Sequence, residues 1–152
     1  MTTTETFALD TNILIYLHDI DTGSEKRKIA YELIAGNPFI SAQVISEYLN
    51  VCSKRLKMPK QDALNALMNW LPFCNLTPFN SDIYLKSQFL IKKYQFQLFD
   101  SVVIASAMES GCRILFSEDM QHNLSVEKVL RIVNSFLVAT KQQNPAINRA
   151  LS

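Results

Sequence analysis

The stretch Phe7-Ala8-Leu9-Asp10-Thr11-Asn12 decides how the rest of the chain is interpreted. Its three apolar residues predict a short buried strand, and a carboxylate follows directly at the end of that strand. Two small polar residues then lead into the apolar segment 13–17, which is predicted to be a helix. In a parallel α/β sheet the functional crevice lies at the carboxyl ends of the strands. Asp10 is therefore expected to point into such a crevice.

Strand and helix patterns alternate along the rest of the chain. This alternation favours a three-layer α/β/α fold with a central parallel sheet, of the Rossmann-like kind. We expect one domain over residues 1–152, with a mobile, Gln/Asn-rich tail from about residue 140. Further strands are predicted at 39–40, 73–76, 113–116 and 129–133, and helices at 24–35, 42–56, 60–70 and 80–94 and from Asp100 to about residue 110.

Composition excludes several classes of protein. A hydrophobic fraction of 48% excludes a disordered chain, and no apolar run reaches the roughly 20 residues that span a bilayer. Cys52, Cys74 and Cys112 have neither metal-ligand spacing nor a disulfide pattern, so we expect reduced thiols and a cytoplasmic protein. With three glycines and neither GxGxxG nor GxxxxGK[ST], a nucleotide-binding loop is not indicated.

The net charge of +1 makes the chain as a whole no polycation. Contact with nucleic acid would have to come from a local patch, and one candidate follows the third predicted helix. This basic cluster consists of Lys54, Arg55, Lys57 and Lys60. Solvated surface side chains are the alternative interpretation of the same residues.

Four acids stand out by position, namely Asp10, Glu47, Asp100 and Asp119. Two follow predicted strands, one opens a helix along its buried face, and Glu47 lies at the margin of an apolar helical stripe. Like charges in a cleft raise one another's pKa values, and a cation such as Mg²⁺ or Mn²⁺ removes that penalty. Each acid also has an alternative role, since Asp10 and Asp100 could be helix N-caps, Asp119 a turn residue and Glu47 a solvated one.

Four blocks of sequence around these acids resemble the PIN-domain nucleases, especially the VapC-type toxins of bacterial toxin–antitoxin modules. The resemblance extends from residue 7 to about residue 136. It is carried by Leu9-Asp10-Thr11-Asn12-Ile13-Leu14, Ile45-Ser46-Glu47, Phe99-Asp100-Ser101-Val102-Val103-Ile104-Ala105-Ser106-Ala107 and Leu115-Phe116-Ser117-Glu118-Asp119. Many relatives place an acid or a glycine a few residues after the fourth acid, where this chain has Gln121-His122-Asn123.

The resemblance implies a PIN-like sheet between helices and metal-dependent endonucleolytic cleavage of RNA. It implies that Asp10, Glu47, Asp100 and Asp119 form an acidic, catalytic Mg²⁺ (or Mn²⁺) site. Thr11, Asn12 and Ser117 match small polar positions that support such a site, whereas Glu118 is expected to be solvated.

The leading hypothesis is thus an Mg²⁺-dependent endoribonuclease that is the toxin of a toxin–antitoxin pair. Its expected partners are an RNA substrate, a protein antitoxin and a second copy of the chain, with no membrane. Two alternatives remain open: a non-catalytic PIN-like module that binds RNA or protein, and a housekeeping PIN nuclease without an antitoxin.

Overall fold

The structure, a computed structural model, describes residues 5–21 and 23–137. Within that part of the chain, six strands form one sheet in the order β3-β2-β1-β4-β6-β5. Parallel pairing joins every neighbouring pair except β5 and β6, which are antiparallel. The strands are β1 (Phe7–Leu9), β2 (Phe39–Ile40), β3 (Asn75–Leu76), β4 (Ile114–Phe116), β5 (Ser125–Val126) and β6 (Leu130–Val133).

Two of the helices begin at serine caps. Ser24 Oγ accepts a hydrogen bond from Arg27 N, and Ser41 Oγ accepts one from Val44 N, so each serine satisfies a free amide of its helix. The helices are α1 (Thr11–Ile15), α2 (Glu25–Ala35), α3 (Ala42–Lys54), α4 (Lys60–Trp70), α5 (Ser81–Tyr94) and α6 (Leu98–Glu109), with 3₁₀ turns at Tyr16–His18, Leu71–Phe73 and Ser135–Leu137.

The direction of strand addition reverses beside β1. From β1 the chain adds β2 and then β3 on one side, and it returns to place β4 on the other side. The hydrogen bond from Asp10 N to Phe116 O, 2.9 Å long, continues the pairing of β1 with β4 past the last residue of β1. In open α/β sheets such a switch point opens a crevice at the carboxyl ends of the strands. Residues after β1 and β4 therefore line one crevice.

Helices cover both faces of the sheet. All residues of β1 and β4 are buried, as expected for central parallel strands whose side chains meet helices on either face. Residues 101–107 of α6 are also all buried, so this helix lies inside the molecule rather than on its surface. The predicted α/β fold with a parallel sheet between helices is confirmed. The predicted single-domain organisation stays a prediction.

Several features differ from the sequence prediction. The strand predicted over 73–76 is confined to Asn75–Leu76, and Leu71–Phe73 forms a 3₁₀ turn instead. Helix α6 begins at Leu98 with Gln97 as its N-cap, so the interpretation of Asp100 as an N-cap is wrong. The antiparallel strand β5 was not predicted. It reaches β6 through a tight turn with positive φ angles of 53° at Glu127 and 55° at Lys128.

Two further predictions concern the tail of the chain and membrane-spanning segments. The predicted mobile tail, from about residue 140, lies outside the described residues. Across residues 5–21 and 23–137, no helix combines the length and the apolar character that crossing a bilayer would need.

Candidate active site

Asp10 is the deepest acid at the crevice, with 6% of the residue exposed. Its Oδ1 accepts a hydrogen bond from Thr11 N at 2.8 Å, and its Oδ2 accepts one from the Ser117 hydroxyl at 2.8 Å. Asp10 is also the N-cap of α1, so the alternative role considered for it is real. The cap uses one carboxylate oxygen. The second accepts the hydrogen bond from Ser117, which is fully buried and directly follows β4.

Glu47 is held in place by two side chains. The Thr11 hydroxyl donates to its Oε2 at 2.8 Å, and Gln43 Nε2 donates to its Oε1 at 3.0 Å. Glu47 is half-buried on α3, and Thr11 begins α1 directly after Asp10. Thr11 therefore connects the second acid to the segment that carries the first, and Glu47 is not the freely solvated residue of the alternative interpretation.

Asp100 and Asp119 lie closer to solvent. Asp100 is half-buried in the first turn of α6, and Asp119 is exposed two residues after Ser117. Electrostatic repulsion links Asp100 to both Glu47 and Asp119, and it links Asp10 to both Glu47 and Asp100. The structure thus brings all four predicted acids into one interacting group that runs from the buried end of β1 to the surface.

Burial and mutual repulsion disfavour the charged forms of the inner acids. Burial raises the pKa of Asp10 from 3.8 to about 6; the hydrogen bonds from Ser117 and Thr11 oppose the rise, and the charges of Glu47 and Asp100 add to it. Burial, followed by the charges of Glu47 and Asp119, also raises the pKa of Asp100. A bound cation would remove both penalties, because it would neutralise the repelling charges.

The donor set fits a hard divalent cation. Mg²⁺ keeps several waters and binds proteins through one or two carboxylates, and these acids supply carboxylate oxygens. Within the described ranges, no three or more His, Cys, Asp or Glu side chains stand close enough together to hold a metal ion between them.

The predicted supporting residues all contact the segments that carry the acids. Thr11 binds Glu47, and Ser117 binds Asp10 while its Oγ accepts a hydrogen bond from Met120 N at 3.3 Å. Asn12 Oδ1 accepts one from Glu118 N at 3.3 Å. The contacts of Ser117 with Asp10 and of Asn12 with Glu118 join the segment after β1 to the loop after β4.

Sequence reasoning missed several residues at this edge. Gln43 lies four residues before Glu47 on the same helical face, a spacing that could have identified it. Glu118 is not solvated as expected, because Lys26 Nζ lies 2.6 Å from its Oε2 and the Tyr16 hydroxyl 2.7 Å from its Oε1. No local pattern could indicate the pair of Lys26 and Glu118, which are 92 residues apart.

A comparison with protein-family models matches residues 7–124 to the family described as PIN domain. The comparison with curated proteins gave no match.

Solved structures with a similar fold include three toxin–antitoxin proteins. The sarcin–ricin loop cleaving toxin VapC20 of Mycobacterium tuberculosis is 17% identical over 75% of this chain and 92% of its own, with a TM-score of 0.58. VapBC2 of Rickettsia felis, solved with a promoter DNA fragment, is 18% identical over 84% of this chain and 96% of its own, with a TM-score of 0.61. A toxin–antitoxin complex of Klebsiella pneumoniae is 23% identical over 85% of this chain and 96% of its own, also with a TM-score of 0.61. At these identities the likeness is one of fold.

Proposed function

The chain belongs to the PIN domain family, and we propose that it is an Mg²⁺-dependent endoribonuclease with a catalytic site formed by Asp10, Glu47, Asp100 and Asp119. The observation that carries this proposal is the group of four interacting acids at the switch point of the sheet. An isolated capping or turn residue has no need of three further acids beside it. A nuclease that binds a divalent cation has that need.

The four acids would have different roles according to their positions. Asp10 and Asp100 would hold the ion, which Mn²⁺ could replace, and Glu47 and Asp119 would complete the site. When bound, the ion activates water and offsets the charge that develops during phosphodiester hydrolysis. Thr11 and Gln43 hold the two oxygens of the Glu47 carboxylate. Ser117 orients the Asp10 carboxylate with its hydroxyl proton.

The test is cleavage of RNA by purified Asp10→Asn and Asp100→Asn variants. Each substitution is nearly isosteric but removes a charge that a cation needs, so we expect loss of cleavage with an unchanged far-UV circular dichroism spectrum. Wild-type cleavage should stop in chelator and return with Mg²⁺ or Mn²⁺. Asp82→Asn, at an exposed acid in the first turn of α5, is the matched control and should cleave like the wild type. Wild-type activity in a folded Asp10→Asn or Asp100→Asn protein would contradict the proposal.

The toxin role rests on the relatives. Two of the similar solved structures are described as a VapBC protein with DNA and as a toxin–antitoxin complex, which supports a protein antitoxin as partner here. The third is described as cleaving the sarcin–ricin loop, which supports RNA as the substrate class. The exposed basic cluster of Lys54, Arg55, Lys57 and Lys60 offers positive charge for RNA phosphates.

Expression of the protein with and without the product of its neighbouring gene separates the remaining alternatives. Growth arrest that the neighbour relieves would identify a toxin. RNA cleavage without growth arrest would indicate a housekeeping nuclease. RNA or protein binding without cleavage would indicate a non-catalytic module.

A further inference from the structure

The Glu118 carboxylate, next to Asp119 in the chain, is held from two sides. The Tyr16 hydroxyl donates to Oε1 at 2.7 Å, and Lys26 Nζ donates to Oε2 at 2.6 Å. Lys26 Nζ also donates to the Tyr16 oxygen at 3.1 Å, which closes a triangle of hydrogen bonds. We call Tyr16, Lys26 and Glu118 the Glu118 clamp. The two hydrogen bonds to the Glu118 carboxylate are as short as charge-assisted hydrogen bonds typically are, and the bond from Lys26 to Tyr16 is longer.

The clamp joins three separate parts of the chain. Tyr16 follows α1 directly, Lys26 lies in the first turn of α2, and Glu118 lies in the loop after β4. The Phe136 ring packs against the Tyr16 ring with centroids 5.0 Å apart, and Lys26 Nζ lies 5.3 Å from the Phe136 centroid. The side chain of Glu118 is therefore fixed by contacts that are all remote from it in sequence.

The backbone of Glu118 is fixed as well. Its amide donates to Asn12 Oδ1 at 3.3 Å, and its carbonyl oxygen accepts from Asn134 Nδ2 at 3.4 Å. The preceding residue, Ser117, donates to Asp10, and the following residue is Asp119. Glu118 therefore lies in the chain directly between the hydroxyl that orients Asp10 and the outermost acid of the site.

We propose that Lys26 and Tyr16 are positioning residues, which act through Glu118 to hold Ser117 and Asp119 in the arrangement that binds the divalent cation. This inference rests on the proposed function, because it assigns the clamp a role in the same site. None of the three clamp residues needs to contact the ion or the RNA. Their effect is on the segment between the end of β4 and Asp119.

The chain contains a second cluster of the same chemistry that serves as a control. At the β5–β6 turn, Glu127 accepts a hydrogen bond from Tyr94 at 2.9 Å and pairs with Lys93 at 2.7 Å. The Lys and Glu side chains are 52% and 29% exposed there, against 45% and 25% in the clamp. That turn precedes β6, whereas the acids lie near the carboxyl ends of the parallel strands, at the opposite edge of the sheet. The two clusters should contribute similarly to folding and differ in their effect on the acids.

The experiment is a titration of thermal unfolding with Mg²⁺, without RNA. It compares Glu118→Gln and Lys26→Met with Glu127→Gln and Lys93→Met. Outer-shell partners of metal sites typically contribute 10- to 100-fold in affinity, so for both clamp variants we expect half-maximal stabilisation at a roughly 10-fold higher Mg²⁺ concentration. Both control variants should titrate like the wild type. Lys26→Arg keeps the cation and should also keep the wild-type response, whereas Tyr16→Phe should shift it in the same direction as Lys26→Met.

The unfolding temperature in chelator separates loss of stability from loss of positioning. We expect similar values for Glu118→Gln and Glu127→Gln there, with a difference only when Mg²⁺ is added. An unchanged Mg²⁺ response in Glu118→Gln and Lys26→Met would overturn the clamp and leave the proposed function intact. An equal loss of response in Glu127→Gln would also overturn it, because the effect would then be one of general stability. A wild-type protein that neither responds to Mg²⁺ nor cleaves RNA would refute the proposed function, and the clamp's role would fall with it.

Discussion

Asp10→Asn should stabilise the folded protein in the absence of metal. Asp10 is buried beside Glu47 and Asp100, and its pKa is raised from 3.8 to about 6. The folded state therefore binds a proton at this carboxyl more tightly than the unfolded state does. The stability that the protonated carboxyl contributes is fully present below about pH 4 and is lost as the pH rises to about 6. Asparagine does not ionise, so the variant retains that contribution at neutral pH.

The size of the effect follows from the two pKa values. The interval from 3.8 to about 6, at about 1.36 kcal/mol per pKa unit, corresponds to about 3 kcal/mol at pH values near 7. The hydrogen bonds from Ser117 and Thr11 to the carboxylate are already contained in that interval. Since asparagine must re-form them with a weaker acceptor, we expect a gain of about 1–3 kcal/mol.

Urea unfolding in chelator, at about pH 7 and again near pH 4, measures this gain. The difference between Asp10→Asn and the wild type should be large at the higher pH and should approach zero at the lower pH. With saturating Mg²⁺ at neutral pH, the wild type should recover stability and the variant should not. Asp82→Asn, at an exposed acid of α5, should change stability by less than about 0.5 kcal/mol at either pH.

A neutral or destabilising Asp10→Asn would contradict this reasoning. Asparagine caps a helix about as well as aspartate, so a pure N-cap at Asp10 predicts no stabilisation at either pH. If Asp10→Asn is neutral or destabilising near pH 7 in chelator, burial and neighbouring charge do not act on this carboxylate as described.

Three further predictions concern the neighbours of Asp10 and the partner. Thr11→Val removes the hydroxyl that holds Glu47 at nearly constant volume, and the loss of about 1.4 kcal/mol in positioning should lower the RNA cleavage rate roughly 10-fold. Ser117→Ala removes a donor that lowers the pKa of folded Asp10, so in this background the stabilisation by Asp10→Asn should begin at the same pH, continue to grow to a higher pH and reach a larger final value, as measured by the same urea experiment. Co-expression with the product of the adjacent gene should restore growth and yield a complex that survives copurification; a protein that is harmless alone and recovers no partner would contradict the toxin role.

Local sequence was enough to place most secondary structure. Strand β1 and helix α4 have the predicted bounds, and Ser24 and Ser41 cap helices where their sequences predicted caps. Such features depend on periodicity and on hydrogen bonds between residues three or four positions apart, which a short segment contains in full. The two-residue strand β5 has neither a period nor a run that could reveal it, because its strand character arises from pairing with β6.

The sequence by itself also determined that Asp10 and Asp119 follow strands, and residues that follow parallel strands meet at one edge of a sheet. It placed Glu47 and Asp100 on helices, although Asp100 lies within the first turn of α6 and not at its start. Only the tertiary structure decided the burial, the hydrogen bonds and the pKa of each acid. The burial of Asp10, the hydrogen bond from Ser117 107 positions away and the pairing of Glu118 with Lys26 all depend on how distant elements pack. A raised pKa is likewise a property of the environment, since desolvation and neighbouring charge come from residues that are far apart in the chain and close only after folding.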